Sequence, residues 1–195
     1  MPTPPDRLTR LEQMLDRQDI FDCLQRISRG IDRFDRDMFL SGYHADAVID
    51  AGALVGDPPR VYESGAALHA AGQSATLHNL MNHYCDIVGD TAHAETYFQY
   101  VGRNRDRSNW AAGGRYMDRL ERRHGEWRIA FRMTVMEWSG SIAGNEVPLF
   151  AGVDDLEANG AASRSRDDPS YRRPLTNRRA VRFPTDPGAL SKPGG

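Results

Sequence analysis

Three stretches in the middle of the chain, 91–103, 110–122 and 126–138, alternate apolar and polar residues and follow one another across short polar connections. Side chains in a strand point to opposite faces in turn, so this period of two, enriched in aromatic residues, predicts antiparallel strands with one covered face. In the first, Ala92, Ala94, Thr96, Phe98 and Tyr100 share a face. In the last, Trp127, Ile129, Phe131, Met133 and Val135 oppose Arg128, Ala130, Arg132, Thr134, Met136 and Trp138. Gly113-Gly114 marks a kink or bulge in the second strand. A fourth strand, 76–88, precedes them and ends at the turn Gly89-Asp90. Strict alternation there puts His78, Leu80, Asn82 and Tyr84 on one side, and Leu77, Asn79, Met81 and His83 on the other.

The segment before these strands has a different period. Leu8, Leu11, Leu15, Ile20, Leu24, Ile27, Ile31 and Phe34 recur mostly every three or four residues, the stripe of one amphipathic helix or of two in tandem. Gly30 weakens the helix, and the dense charges of 32–37 end it. Met38, Phe39 and Leu40 continue into a short helix, and 45–50 enters a first strand. Gly52, Gly56 and Asp57-Pro58-Pro59 mark a loop, and 61–71 reads as another helix. Helices first and then a run of strands predicts an α+β fold, with the N-terminal helices packed on a curved antiparallel sheet. The pattern stops near Gly140. The domain is expected over 1–142, and the Arg-, Asp-, Pro- and Gly-rich remainder, 143–195, as an extended tail with too few large apolar groups to order itself.

With a formal net charge of −2 and a sequence pI of 6.3, the chain has no overall basic field to hold nucleic acid or an anionic membrane. The tail arginines are interrupted by Asp167, Asp168 and Asp186, which fits a solvated or subunit-draping segment. Cys23 and Cys85 lie in apolar-patterned segments without Cys-x-x-Cys spacing, as buried thiols do in a reducing compartment. The polar, Pro-rich start and the absence of a long apolar run lead to the expectation of a soluble cytoplasmic protein without a signal peptide. There is no P-loop or GxSxG, and His44, His69 and His93 stand singly and name no metal site.

Three polar residues interrupt otherwise consistent patterns. His78 is either a histidine satisfied beside the core or a general base, the role for which an imidazole is best suited at neutral pH. Asp32 lies at the border of the buried helical stripe. There it either reaches inward or stays solvated at a helix end whose dipole disfavours it. Arg132 keeps apolar company on its face (Ala130, Thr134, Met136, Trp138), and could equally snorkel to the surface.

Taken together, Arg29-Gly30-Ile31-Asp32-Arg33, Tyr43-His44-Ala45-Asp46-Ala47, His78-Asn79-Leu80-Met81-Asn82 and Gly125-Glu126-Trp127-Arg128-Ile129 with Arg132 resemble the SnoaL-like branch of the nuclear transport factor 2 superfamily. Within it, the chain is most similar to the group of hexachlorocyclohexane dehydrochlorinase, scytalone dehydratase and bile-acid dehydratase. The resemblance spans roughly 8–138 and implies a cone-shaped α+β domain with a pocket between sheet and helices. It implies His78 as base, Asp32 as its partner and Arg132 as the group assisting departure. The dehydrochlorinase has a lysine, and the bile-acid enzyme a tyrosine, five residues before the Asp; here Ile27 stands there, and Tyr43, Tyr84, Tyr97 or Tyr100 would have to substitute. Asn82, Tyr84, Tyr43, Met136 and Trp138 are the substrate-binding candidates. The implied chemistry is a cofactor-independent elimination or isomerisation on a small hydrophobic ring compound such as a steroid, polyketide or aromatic. The superfamily also supplies binding and assembly modules, including small subunits of ring-hydroxylating oxygenases. Members commonly pair through the sheet, so a homodimer or homotrimer is expected.

Overall fold

The computed structural model describes residues 6–142 and 154–180. The chain divides into two compact units, Met1–Ile142 and Ala143–Gly195. In the first, helix α1 spans Arg7–Asp32 and α2 Arg36–Leu40, followed by strands β1, Tyr43–Asp50, and β2, Val55–Gly56. Helix α3, Pro58–Gly72, leads directly into β3, Gln73–Val88, and then come β4, Thr91–Asn104, β5, Asn109–Arg123, and β6, Glu126–Ile142. One unclosed, curved six-stranded sheet runs in the order β2-β1-β6-β5-β4-β3. All neighbours are antiparallel except β1 and β6, which run parallel.

Local chemistry explains the helix boundaries. Asp6 caps α1, its carboxylate accepting the Thr9 N–H at 2.8 Å, and Asp35 caps α2 by accepting from Met38 N–H at 3.2 Å. Helix α3 begins at Pro58, three residues before the apolar pattern does, because Asp57 accepts the Arg60 N–H at 3.0 Å and proline is preset for the first helical position. Gly30 is not a weak point. A Cβ there would lie 2.5 Å from the backbone nitrogen of Phe39, so glycine lets α2 fold back against α1.

The stripe of α1 is buried only from Ile20 onward; Leu8, Leu11 and Leu15 stay exposed. Ile20, Leu24 and Ile27 meet Leu120, Trp127 and Ile129 from the sheet, each large apolar side chain contributing roughly 1.5–3 kcal/mol on burial. Trp127 also ties the sheet to α1, its Nε1 donating to Asp16 at 2.8 Å.

Bulges decide which side chains face the helices. Between Leu80 and His83, β3 uses three steps against two on β4, where Phe98 and Thr96 pair. His78 and Leu80 therefore face inward, and so do His83 and Cys85, whereas Asn82 and Tyr84 turn out to solvent. The strict alternation expected through Tyr84 does not hold beyond Leu80. A second bulge sets Leu120 opposite Ile129 and Arg119 opposite Phe131. The inward face of β6 thus passes from Trp127 and Ile129 to Ala130, Arg132 and Thr134, and Phe131 and Met133 point away. The third lies at Gly113-Gly114, where Gly114 pairs with Met136 and Gly113 with Trp138. A Cβ on Gly114 would meet the Val135 carbonyl oxygen at 2.0 Å, so the chains close together only because that atom is missing.

In the second unit the described residues, 154–180, are not a plain extended tail. They turn around a buried Asp168, whose carboxylate accepts from Ser163 N–H and Ser170 N–H, both at 3.0 Å, and carry a short 3-10 helix, Pro169–Tyr171. Arg172 donates to the Asn159 carbonyl at 2.8 Å, and Arg179 to Asp155 at 3.0 Å. The rest of the expected extended segment, 143–153 and 181–195, lies outside the described residues. Among the described residues no helix is long and apolar enough to cross a membrane.

Candidate active site

The sheet curves around a cavity of about 330 Å³ whose wall is mostly apolar. His78 and Tyr100 enter it from β3 and β4, Tyr116 from β5, Arg132 from β6, Tyr43 from β1 and His69 from α3. A volume at the lower end of the range for small-molecule sites, lined by aromatic and aliphatic groups with a few convergent polar atoms, suits a compact ring compound.

Asp32 is the last residue of α1 and is buried. A carboxylate at a helix C-terminus faces the negative end of the dipole and needs compensation. His78 supplies it twice: its backbone N–H donates to Oδ2 at 2.9 Å, and its ring Nδ1 meets Oδ1 at 2.6 Å. The carboxylate accepts, so Nδ1 carries the hydrogen. The neutral ring then keeps its lone pair on Nε2, which has no protein hydrogen-bond partner among the described residues, and the side chain borders the cavity. Tyr100, directly opposite His78 on β4, holds the imidazole edge-on with ring centroids 4.8 Å apart. An imidazole thus stands in a defined tautomer, oriented by a buried carboxylate and an aromatic wall.

Arg132 is placed differently. It is buried and lies directly across the strand pair from Asp118. The two form a bidentate ion pair, Nε to Oδ1 at 2.7 Å and Nη2 to Oδ2 at 2.8 Å. The guanidinium stacks on Tyr116, 4.2 Å from the ring centroid, and Nη1 reaches the Tyr43 hydroxyl at 3.4 Å. Burial by itself lowers the pKa of Arg132, but the Asp118 carboxylate more than offsets it and the net shift is upward. Burial raises Tyr116 to about 12 against the opposing pull of Arg132, and raises Tyr43 as well. Both phenols are O–H donors at neutral pH. Much of the Arg132 charge is answered by Asp118, and the Tyr43 and Tyr116 hydroxyls stand beside the guanidinium as further hydrogen-bond donors.

Of the residues singled out in the sequence, His78, Arg132, Tyr43, Tyr100 and Met136 border the cavity, Asp32 stands behind His78, and Tyr97 is exposed away from the wall. Asn82 and Tyr84 do not border it, because the β3 bulge turns them outward; Tyr84 is 70% exposed. Trp138 is also absent from the wall, since the Gly113 bulge separates it from Met136 and its indole lies over Gly113. Asp118, Tyr116 and His69 escaped sequence reasoning. The first two carried a signal: 116, 118 and 120 share a strand face, and an acid between Tyr116 and Leu120 is out of place unless it is paired. His69 carried none beyond its place on the inner side of α3.

No functionally curated protein matches the sequence. Among solved structures, a type 2 hexachlorocyclohexane dehydrochlorinase superposes with a TM-score of 0.64 at 20% identity, covering 74% of this chain and 98% of that one. A Novosphingobium aromaticivorans protein assigned as a scytalone dehydratase gives 0.60 at 15% identity, covering 68% and 91%. Another from the same organism, assigned as an aromatic ring hydroxylase, gives 0.60 at 23%, covering 66% and 94%. At these identities the likeness is one of fold. Residues 12–133, more than half of the chain, match the SnoaL-like domain family; the protein belongs to the SnoaL-like branch of the nuclear transport factor 2 superfamily.

Proposed function

We propose that the protein is a cofactor-independent lyase or isomerase acting on a small hydrophobic ring compound, of the aromatic, polyketide or steroid kind, with His78 as the base. The observation that carries this reading is the Asp32–His78 pair at 2.6 Å, with the ring bordering an apolar cavity. Fold neighbours that include a dehydrochlorinase support the class of reaction. His78 Nε2 takes a proton from a carbon next to an activating group, and Asp32 stabilises the imidazolium that forms. Tyr43 and Tyr116, backed by Arg132, donate to the oxygen on which charge develops. Large apolar side chains outside the cavity, among them Met81, Tyr84, Phe131 and Met133, support pairing into a homodimer or homotrimer through the outer sheet face.

The test needs no natural substrate. Nitrobenzisoxazole, a flat bicyclic compound, opens to a coloured phenolate when a base removes its ring proton. The wild-type protein is expected to accelerate this opening above the buffer rate, and His78→Ala to lose about 10²–10⁴-fold of that acceleration. A wild-type rate no better than buffer, or one that survives His78→Ala, would sink the base assignment. Tight ligand binding without turnover would then mark the domain as a binding module.

A further inference from the structure

The apolar stripe at the start of α1 runs on the side of the helix turned away from the core. At about 100° per residue, Leu8, Leu11, Met14 and Leu15 lie roughly 120–180° around α1 from Ile20, the first buried residue of the helix. All four are exposed, Leu8, Met14 and Leu15 to 64–65%. The other side of the same turns is fixed to the sheet, where Asp16 accepts from Arg122 and from Trp127, each at 2.8 Å. A surface helix ordinarily turns one apolar stripe to the core and charges to water. Here the first turns carry a second stripe, with large side chains side by side rather than scattered singly over the surface. The spacing of Leu8, Leu11 and Leu15, three and then four, is that of the a and d positions of a heptad. The stripe ends at Gln18 and Asp22, which occupy the next d and a positions and are bonded to each other at 2.7 Å.

We propose that this stripe pairs with the same stripe of a second copy of the chain, as a short parallel two-helix coil about a two-fold axis. The charges beside the stripe select both the occupant and the direction. Arg7 lies on one flank, at a g position, and Glu12 and Asp19 lie on the other, at e positions. A two-fold axis parallel to the helices sets each flank against the opposite flank of the other copy. Arg7 then meets the partner's Glu12, and Glu12 meets the partner's Arg7. An antiparallel pair would set the acidic flank against the partner's acidic flank. An anionic lipid surface fits worse than a second copy, because the same acidic flank would face it. Ile20 and Ile27, both buried, take f positions and point away from the pairing side, which leaves the two sheets on opposite sides of the coil. A contact of two heptads is small beside a standard interface, so the pairing is weak and reversible. It is independent of the chemistry of the cavity.

Both native cysteines are buried, so a thiol placed on α1 reports what lies beside it. Leu8→Cys, Leu15→Cys and a control on the far side of the helix, Gln13→Cys, are made in the full chain and oxidised with glutathione disulfide, singly and mixed. Leu8→Cys and Leu15→Cys are each expected to form disulfide-linked dimers about tenfold faster than Gln13→Cys, because pairing raises the local thiol concentration. The mixture is expected to link 8 to 8 and 15 to 15, not 8 to 15. Adding Glu12→Arg to the Leu8→Cys chain should slow linkage about fivefold, and adding Arg7→Glu as well should restore it. Links between positions 8 and 15 would overturn the parallel direction. Linkage no faster than that of Gln13→Cys would overturn the pairing itself, and sedimentation of the wild-type chain with phosphatidylglycerol vesicles would then assign the stripe to a lipid surface. A loss at Glu12→Arg that Arg7→Glu fails to restore would overturn the match of Arg7 with the partner's Glu12. All these positions are exposed, so each variant is expected to keep its thermal midpoint within a few degrees of wild type.

Discussion

Asp32 and Asp118 are two buried carboxylates on either side of the same cavity, each set against a nitrogen base, and the bases differ in one respect. Arg132 cannot give up its proton, so the Asp118 pair is a fixed element: bidentate, desolvated and stacked on Tyr116. His78 can, and its bond to Asp32 uses only one of its two ring nitrogens. A buried ion pair between permanent charges contributes little net stability, because desolvation consumes most of the Coulomb gain, yet it is costly to break. The same carboxylate against an imidazole fixes a tautomer and leaves a lone pair for chemistry. The Arg132 side of the cavity holds shape, and the His78 side is able to react.

The most severe way to test this contrast is Asp118→Asn, which strands a buried guanidinium. Urea unfolding is expected to show a loss of about 3–5 kcal/mol, and pairing the change with Arg132→Met should recover most of it. If Asp118→Asn unfolds like wild type, the two pairs are not as different as the geometry says. On the other side, Asp32→Asn should preserve the fold within about 1–3 kcal/mol while cutting nitrobenzisoxazole opening roughly a hundredfold or more. A loss of stability with full activity would reverse the roles assigned to the two carboxylates.

A finer test uses alkaline pH. Tyr116, raised by burial to about 12 from its ordinary 10.0, keeps its proton in the folded state over a range where the unfolded chain has lost it. Its contribution to stability is therefore complete below pH 10 and lost as the pH rises toward 12. Tyr116→Phe should flatten that limb of the stability curve, and an unchanged slope would mean that the phenol is not shielded beside Arg132. The smallest effect is expected outside the cavity. Asn82→Ala and Tyr84→Ala should each change stability by less than about 0.5 kcal/mol and leave the opening rate within about twofold. A large loss of rate in either would place the β3 bulge elsewhere.

The sheet was legible in the sequence because a pleated strand with one covered face must alternate, and β4 does so without interruption from Ala92 to Tyr100. His78, Asp32 and Arg132 could be singled out as polar residues out of keeping with their surroundings, before any contact was known. The assignments of Asn82, Tyr84 and Trp138 failed for one shared reason. Asn82 lies within a bulge and Tyr84 and Trp138 just past one, and a single inserted residue reverses every later side chain on that strand. Gly113-Gly114 gave warning of one bulge; nothing in 80–83 or 129–131 gave warning of the others.

Local order is set along the chain: the period of each element and the caps at Asp6, Asp35 and Asp57. These depend on neighbours within a few residues, whose energetics are written in the order of the chain. Partnership was decided only in three dimensions. Asp32 and His78 are 46 positions apart, and His69 reaches the same cavity from a third element. The bond between the first two joins the last residue of α1 to the inward face of β3. Such a contact is set by how a sheet curves around a helix, a property of many weak packing interactions summed, and no short stretch of sequence contains it.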